Sequence, residues 1–268
     1  MNISQNIHTF IGCDSDYAES RIAIFGAPFD STTSYRPGAR FASSAMRNES
    51  YGIETYSPYQ DKDLLDAEIF DCGDLELCFG SPESALNDIE KMTENIISDG
   101  KLPIMIGGEH LVTLGAVRAA VKKYPDLRIV HFDAHADLRD DYLGQKLSHA
   151  CVMRRCHELL GDGKIFQFGI RSGDREEFLW GREHVYTNRF DFSGIERIKE
   201  KTGDRPVYFT LDLDVLDPSC FCGTGTPEAG GVSYNELIKA IEKVSELNVI
   251  AVYYTHLRAH ENDQYLVC

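Results

Sequence analysis

Ile129-Val130-His131-Phe132-Asp133-Ala134-His135-Ala136-Asp137 opens as a buried strand and closes on a row of metal-binding side chains. Its first half is apolar without alternation, as in a strand covered on both faces of its sheet. In an extended segment successive side chains alternate faces, so Asp133, His135 and Asp137 are expected to point the same way. Two carboxylates and an imidazole brought together are costly unless a cation lies between them. A divalent metal removes that cost.

The same series of short apolar strand, loop and amphipathic helix continues on either side of this stretch. Strands are predicted at 21–25, 68–70, 102–106, 127–132, 165–168, 207–211 and 247–254. One helix is predicted from Ser81-Pro82 to Gly100, with Leu86, Ile89, Thr93 and Ile96 on one face and proline at a favoured first position. Others follow Leu111, Leu114, Val117 and Val121, cover 149–160 up to Gly161, lie near 194–202, and start at the capping box Ser233-Tyr234-Asn235-Glu236. No repeat, low-complexity tract or linker interrupts the series. Strands without alternation, each followed by a helix, describe an α/β fold with a parallel sheet covered on both faces. Ligands of such sheets bind beyond the carboxyl ends of the strands.

The composition is compatible with that reading. A chain of 268 residues, 43% of them hydrophobic, is long enough for one large domain with a buried core. No apolar run approaches the ~20 residues of a membrane span. Residues 1–14 have neither a basic nor an apolar signal-peptide region, and the eight cysteines form no CxxC pair. Reduced thiols and a cytoplasmic location are therefore expected. The net charge of −16 disfavours nucleic acid and anionic membranes as partners and suits cationic ligands.

Four strand ends carry the chemistry: Gly107-Gly108-Glu109-His110, then Asp133 to Asp137, then Ser148-His149-Ala150, then Asp212-Leu213-Asp214 with Asp217-Pro218. Singly, each has a plain structural explanation: His110 as a turn histidine, Asp217-Pro218 as a turn starter. Together, four aspartates and two histidines at the carboxyl ends of parallel strands are an electrostatic liability without cations. Asp212 and Asp214, two apart in an extended segment, are expected to face one site. Mostly hard oxygen ligands favour magnesium or manganese, and the histidines tilt the choice to manganese. Six such side chains suit two ions, and a water shared between two ions becomes a hydroxide nucleophile. The chemistry implied is hydrolysis.

Gly107-Gly108-Glu109-His110, Asp133-Ala134-His135-Ala136-Asp137 and Asp212-Leu213-Asp214-Val215-Leu216-Asp217-Pro218 resemble the three signature motifs of the ureohydrolase family, the arginases and agmatinases, in a match running over about 22–251. The resemblance implies a three-layer α/β/α sandwich with a mostly parallel sheet and two Mn2+ ions per chain. By position, His110, Asp133, Asp137 and Asp212 resemble the ligands of one ion, and Asp133, His135, Asp212 and Asp214 those of the other. The implied reaction is attack of a metal-bridging hydroxide on a guanidinium carbon, releasing urea and an amine. Asp137 would pass a proton to the departing amine. His149 matches the histidine regarded in the family as a proton shuttle, a role imidazole fills near neutral pH. Assembly into a homo-oligomer, a trimer or hexamer, is also a family expectation.

The loops are similar to the agmatinase branch. Pro28-Phe29-Asp30 with Ser34-Tyr35-Arg36-Pro37-Gly38-Ala39-Arg40, and Gly223-Thr224-Gly225-Thr226-Pro227-Glu228-Ala229-Gly230-Gly231, resemble its forms. The loop 138–147 carries Asp140 and Asp141 where arginases place small hydroxyl residues, which would suit a small, purely cationic guanidino substrate such as agmatine. Arginine and guanidinobutyrate are the alternatives. A zinc deacetylase shares the superfold, but its metal set is sparser than the six ligands here.

The carboxyl terminus departs from the family. Asn248-Val249-Ile250-Ala251-Val252 starts the last strand, but Tyr253 stands at the family's aspartate position and His256 at that of the glutamate that grips the guanidinium. Residues 1–252 are thus expected to form a single ureohydrolase-like domain, short of the family's final helix, and 253–268 an atypical tail resembling translated vector or adaptor sequence. His256 and His260 share a helical spacing without forming a metal site on that reading. A chain that binds metal but is catalytically silent, for want of the glutamate, is the second functional expectation.

Overall fold

The computed structural model of the chain describes residues 8–255. Its strands are β1 (Ile22–Ala27), the short pair β2 (Tyr56–Ser57) and β3 (Lys62–Asp63), β4 (Ile69–Asp74), β5 (Leu102–Gly107), β6 (Arg128–Phe132), β7 (Ile165–Ile170), β8 (Tyr186–Arg189), β9 (Val207–Asp212) and β10 (Val249–Thr255). Helices α1 (Ala42–Ser50), α2 (Pro82–Ser98), α3 (Val112–Lys123), α4 (Val152–Leu160), α5 (Arg175–His184), α6 (Ile198–Thr202) and α7 (Tyr234–Ser245) connect them. Eight strands form one sheet in the order β4-β1-β5-β10-β9-β6-β7-β8, with every pairing parallel.

The strand residues explain the layering. Ile129 packs with Phe25, Met105 and Tyr208 against α2, α3 and α4. Its neighbour Val130 packs with Phe132, Phe168 and Phe209 against α1, α6 and α7. Adjacent residues on opposite faces, both buried, give the three-layer α/β/α sandwich that the unalternating strands predict. The caps are also as the sequence reads. The Ser81 side chain accepts from Ser84 N at 3.2 Å beside Pro82 at the helix start, and Ser233 and Glu236 cap α7 reciprocally.

Besides the two-residue strands β2 and β3, the helices α1 and α5 and the strand β8 are not predicted by the apolar pattern. α1 buries Ser43, Arg47 and Ser50 as well as Ala42, and Arg47 Nε and Nη2 bond Asp71 at 2.8 and 3.0 Å. A helix buried through an ion pair leaves no hydrophobic stripe to read. α5 buries only Glu177 and Gly181 fully, and β8 is a four-residue edge strand. The predicted helix near 194–202 is a 3₁₀ turn, Ile195–Arg197, followed by the single-turn α6.

β10 lies between β5 and β9 at the centre of the sheet. Residues 253–255 continue it, and Tyr253 is fully buried, stacked on His110 with ring centroids 5.3 Å apart. His256, His260 and the rest of the expected tail lie outside the described residues. Among the described residues no helix is long and apolar enough to cross a membrane.

Candidate active site

The predicted residues gather at the carboxyl ends of β5, β6 and β9. After β5 the chain turns at Gly107-Gly108 to present His110. A Cβ on Gly108 would lie 1.8 Å from the Phe29 carbonyl oxygen, the same oxygen that accepts from Glu109 N at 2.8 Å. Only glycine lets the loop leaving β1 pass this close.

Asp133, His135 and Asp137 do converge, but the straight alternation expected of them is not the cause. β6 stops at Phe132, and Asp137 turns into the left-handed region at φ 53°. Its carbonyl is held there by Met153 N and Arg154 N of α4, at 3.0 and 3.2 Å. Such a backbone costs about 1–3 kcal/mol and persists where the surroundings impose it. Asp214, likewise, does not follow Asp212 along a strand. Leu213–Val215 is a 3₁₀ turn capped by Asp212, whose Oδ1 accepts from Asp214 N at 3.0 Å. The short spacing works because the chain bends.

Two donor groups result, and Asp133 belongs to both. His110 Nδ1 lies 3.0 Å from Asp133 Oδ2 and 2.9 Å from Asp137 Oδ2. His135 Nδ1 lies 3.0 Å from Asp214 Oδ2 and 3.4 Å from Asp133 Oδ1. Asp212 lines the same cleft floor. Carboxylates with two imidazoles, their donor atoms within 4.8 Å in each group, make a set that can hold two divalent ions.

The electrostatics describe a site built for positive charge. Burial works against charging His110, yet Asp133 and Asp137 raise its pKa to about 10. His135 is likewise raised well above 6.5, against burial, by Asp214 and Asp133. Asp133 is held well below the usual carboxylate range by His110, His131 and His135 although burial opposes it.

Several supporting residues escape a reading by motif. Gln167 Nε2 donates to His131 Nδ1 at 3.1 Å, leaving His131 Nε2 to donate to Asp133 Oδ2 at 2.8 Å. His110 Nε2 donates to Thr210 Oγ1 at 2.7 Å, which turns Nδ1 to the carboxylates. Buried Glu109 accepts from Thr32 N at 3.0 Å and Thr32 Oγ1 at 2.7 Å, and its Oε2 lies 3.6 Å from His149 Nδ1. Arg171 Nη2 donates to the carbonyls of Asp214 and Glu228 at 2.7 and 2.8 Å, tying two site loops together. His131 has the one visible signal, a histidine within a buried apolar strand.

His110, Asp133, His135, Asp137 and Asp212 floor a cleft of about 240 Å³ whose walls include Ser34, Arg139, Tyr142, His149, Asp174 and Glu177. Asp140 and Asp141, expected to meet a cationic tail, are used elsewhere. Asp140 pairs with Arg155 Nη2 at 2.8 Å and Asp141 accepts from Gly144 N at 2.9 Å. Apart from the metal-binding aspartates, the acids at the cleft are Asp174, Glu177 and, beside His135, Glu228, held down to about 2 chiefly by His135. Asp217 is the turn residue its Asp-Pro pair suggests, accepting from Ser219 N, Gly230 N and Gly231 N.

A sequence description of the arginase family matches residues 20–256. The agmatinase of Bacillus subtilis (strain 168) is 46% identical over 246 residues, covering 90% of this chain and 84% of that protein. The N(1)-aminopropylagmatine ureohydrolase of Thermococcus kodakarensis is 38% identical, covering 87% and 81%. The crystal structure of the agmatine ureohydrolase of Thermoplasma volcanium superposes with a TM-score of 0.89 at 35% identity, covering 97% of this chain and 89% of that one.

Proposed function

The chain belongs to the arginase family and is a ureohydrolase, and on that premise we propose that it hydrolyses agmatine to urea and putrescine at a manganese centre. The observation that carries this reading is the pair of donor groups sharing Asp133. In the proposal, His110, Asp133, Asp137 and Asp212 hold one ion, and Asp133, His135, Asp212 and Asp214 hold the other. Bound there, the ions supply a hydroxide nucleophile at neutral pH and positive charge where negative charge develops.

The chain's own residues do the rest. Hydrolysis adds one water across a guanidinium C–N bond: the oxygen joins the carbon of urea, and the departing nitrogen takes a proton. Asp137 is proposed to deliver that proton. Its backbone is fixed by α4 and its carboxylate lines the cleft. His149 is proposed to exchange protons with solvent. It lines the cleft with its ring steadied at Nδ1 by Thr32 and Ser148, at 3.4 and 3.3 Å.

The cleft walls support agmatine over arginine. Arg139 is the one arginine or lysine lining the cleft among the described residues, and it is engaged by Glu177 at 3.2 Å and Asp174 at 3.6 Å. A substrate carboxylate would meet Asp174 and Glu177 without an unpaired cation, whereas an amine meets acids on a wall that favours it. The relatives named for agmatine and its aminopropyl derivative agree with that choice.

Purified protein loaded with manganese should release urea from agmatine in preference to arginine and guanidinobutyrate. Preference for arginine overturns the substrate. Metal-loaded protein that releases no urea from any of them favours the silent reading. His256→Glu is then the informative variant, because a carboxylate restores a charge-assisted partner for the guanidinium.

A further inference from the structure

At the amino ends of β7 and β8, the opposite end of the strands from the cleft, three more metal-binding side chains meet. His157 lies in the last turn of α4, His184 ends α5, and Asp162 sits in the turn between α4 and β7. His157 Nε2 and His184 Nδ1 both point at one oxygen, Asp162 Oδ1, at 2.7 and 2.6 Å. We propose that His157, Asp162 and His184 form a further metal site for a borderline transition ion of the zinc or copper class, independent of the cleft and of its assigned reaction.

The turn is built to hold these groups together. Gly161 and Gly163 flank Asp162 at φ 87° and 69°. Gly161 N donates to the His157 carbonyl at 2.7 Å, and Gly163 N donates to the His184 carbonyl at 2.9 Å. The backbone on each side of the carboxylate is therefore fastened to one of the two histidines. Trp180, one turn before His184, stacks on that ring with centroids 4.2 Å apart at 21°, and meets the His157 ring edge-on at 4.7 Å. Both imidazoles are thus confined in direction before any ion arrives.

The donor chemistry selects the ion. Two imidazole nitrogens and one carboxylate oxygen are the softer, nitrogen-rich counterpart of the cleft, and they suit zinc, copper or nickel better than magnesium or calcium. The three atoms lie within 4.8 Å of one another. Zinc–ligand bonds of about 2.0–2.1 Å place tetrahedral ligands roughly 3.3 Å apart, so small side-chain rotations open the cluster around an ion. Asp162 and His184 are partly open to solvent, which leaves an entry path and room for water ligands. Both histidines also sit at helix carboxyl termini, where the dipole favours a cation. An ion pair holding the helix ends is the competing use of the cluster, and it predicts no binding.

Trp180 makes the site observable, since it is the chain's only tryptophan. β7, six residues long, separates this end of the strands from the cleft by roughly 17 Å at ~3.3 Å per residue. Cu2+ added to the manganese-loaded full chain should quench Trp180 emission to a saturating plateau, and excess Zn2+ should reverse the quenching by competition. His157→Gln and Asp162→Asn, which leave the Trp180–His184 stack in place, should each abolish the saturable quenching. Asp214→Asn, which disables a cleft donor, should leave it intact. Absence of quenching overturns the proposal, as does quenching that survives His157→Gln or Asp162→Asn, or that disappears in Asp214→Asn.

Discussion

His131 Nε2 lies 2.8 Å from Asp133 Oδ2, so the aspartate shared by both donor groups is oriented from behind by a fully buried histidine. His131 is itself oriented by Gln167, whose Oε1 accepts from Thr187 Oγ1 at 3.0 Å. The order of Asp133 thus depends on a chain reaching into β8. Partners of this kind, one bond behind the metal ligands, set affinity by about 10–100-fold. His131→Asn should weaken manganese binding by that range, and saturating manganese should restore most of the urea release. A manganese titration of activity checks it; an unchanged half-saturation would show that Asp133 needs no such support.

Metal loading should release protons. In the metal-free protein, burial opposes charge on His110, but Asp133 and Asp137 raise it to about 10, and His135 is raised well above 6.5. Both are therefore cationic at neutral pH and must give up a proton to coordinate. Apparent metal affinity should rise with pH through the neutral range. Calorimetry in buffers of different ionisation enthalpy should register about two protons per chain, one from each histidine. The sign for stability follows. A raised folded pKa contributes stability that is complete below the unfolded value of 6.5 and is lost as pH rises through about 10. Metal-free protein should lose thermal stability across that window, and metal-loaded protein should not.

How far this site is visible in the sequence depends on the distance over which each role is decided. Asp133, His135, Asp137, Asp212 and Asp214 are legible because residues two apart at strand ends advertise themselves, and His110 because it follows a Gly-Gly pair at such an end. The reason they converge is less legible. The positive φ of Asp137 and the turn at Leu213–Val215 replace the straight alternation that their spacing suggests. Glu109 serves Thr32 across 77 residues and Arg171 serves Glu228 across 57, and no local pattern marks such pairs. The parallel sandwich is legible for the opposite reason, because each inner strand declares its own double burial, while the edge strand β8, with no buried residue, does not.

Arg47 should matter most to folding. Its side chain is 3% exposed and joins α1 to two carboxylates on β4, Asp71 and Asp74. Removing one partner of a buried pair costs about 3–5 kcal/mol, since the other charge stays buried and alone. Arg47→Ala should lower the midpoint of urea unfolding accordingly. Arg47→Ala combined with Asp71→Asn should recover part of the loss. Similar stability of the single variant and the parent would mean that α1 is held by other contacts.

Glu109 should act on turnover without acting on metal. It holds Thr32, whose Oγ1 accepts from His149 N at 3.0 Å, so the loop carrying Ser34 and the loop carrying His149 meet over one carboxylate. Glu109→Ala leaves the metal donors in place but releases both loops. A tenfold fall in kcat, worth about 1.4 kcal/mol, with unchanged manganese content is the expected result, read from urea release and metal analysis on the same preparation. Loss of manganese with activity would instead make Glu109 part of the support for the metal site.

Selectivity should respond to the pair that restrains Arg139. Its Nε is held by Glu177 Oε2 at 3.2 Å, and its guanidinium lies over the Tyr142 ring, 5.0 Å from the centroid. Glu177 Oε1 separately accepts from Leu138 N at 2.9 Å, a bond that glutamine can keep. Glu177→Gln therefore removes one negative charge from the cleft wall, at the expense of the bond that Oε2 accepts from Asp174 N at 2.7 Å. It leaves Arg139 only Asp174 as an acidic partner, at 3.6 Å, so that it is more available to a substrate carboxylate. A pair open to solvent only on the arginine side is worth about 1 kcal/mol, or roughly fivefold in relative kcat/KM. The ratio of guanidinobutyrate to agmatine turnover should rise by that factor, with the gain for guanidinobutyrate appearing in KM. A ratio that stays constant while both rates fall would place the discrimination elsewhere in the cleft.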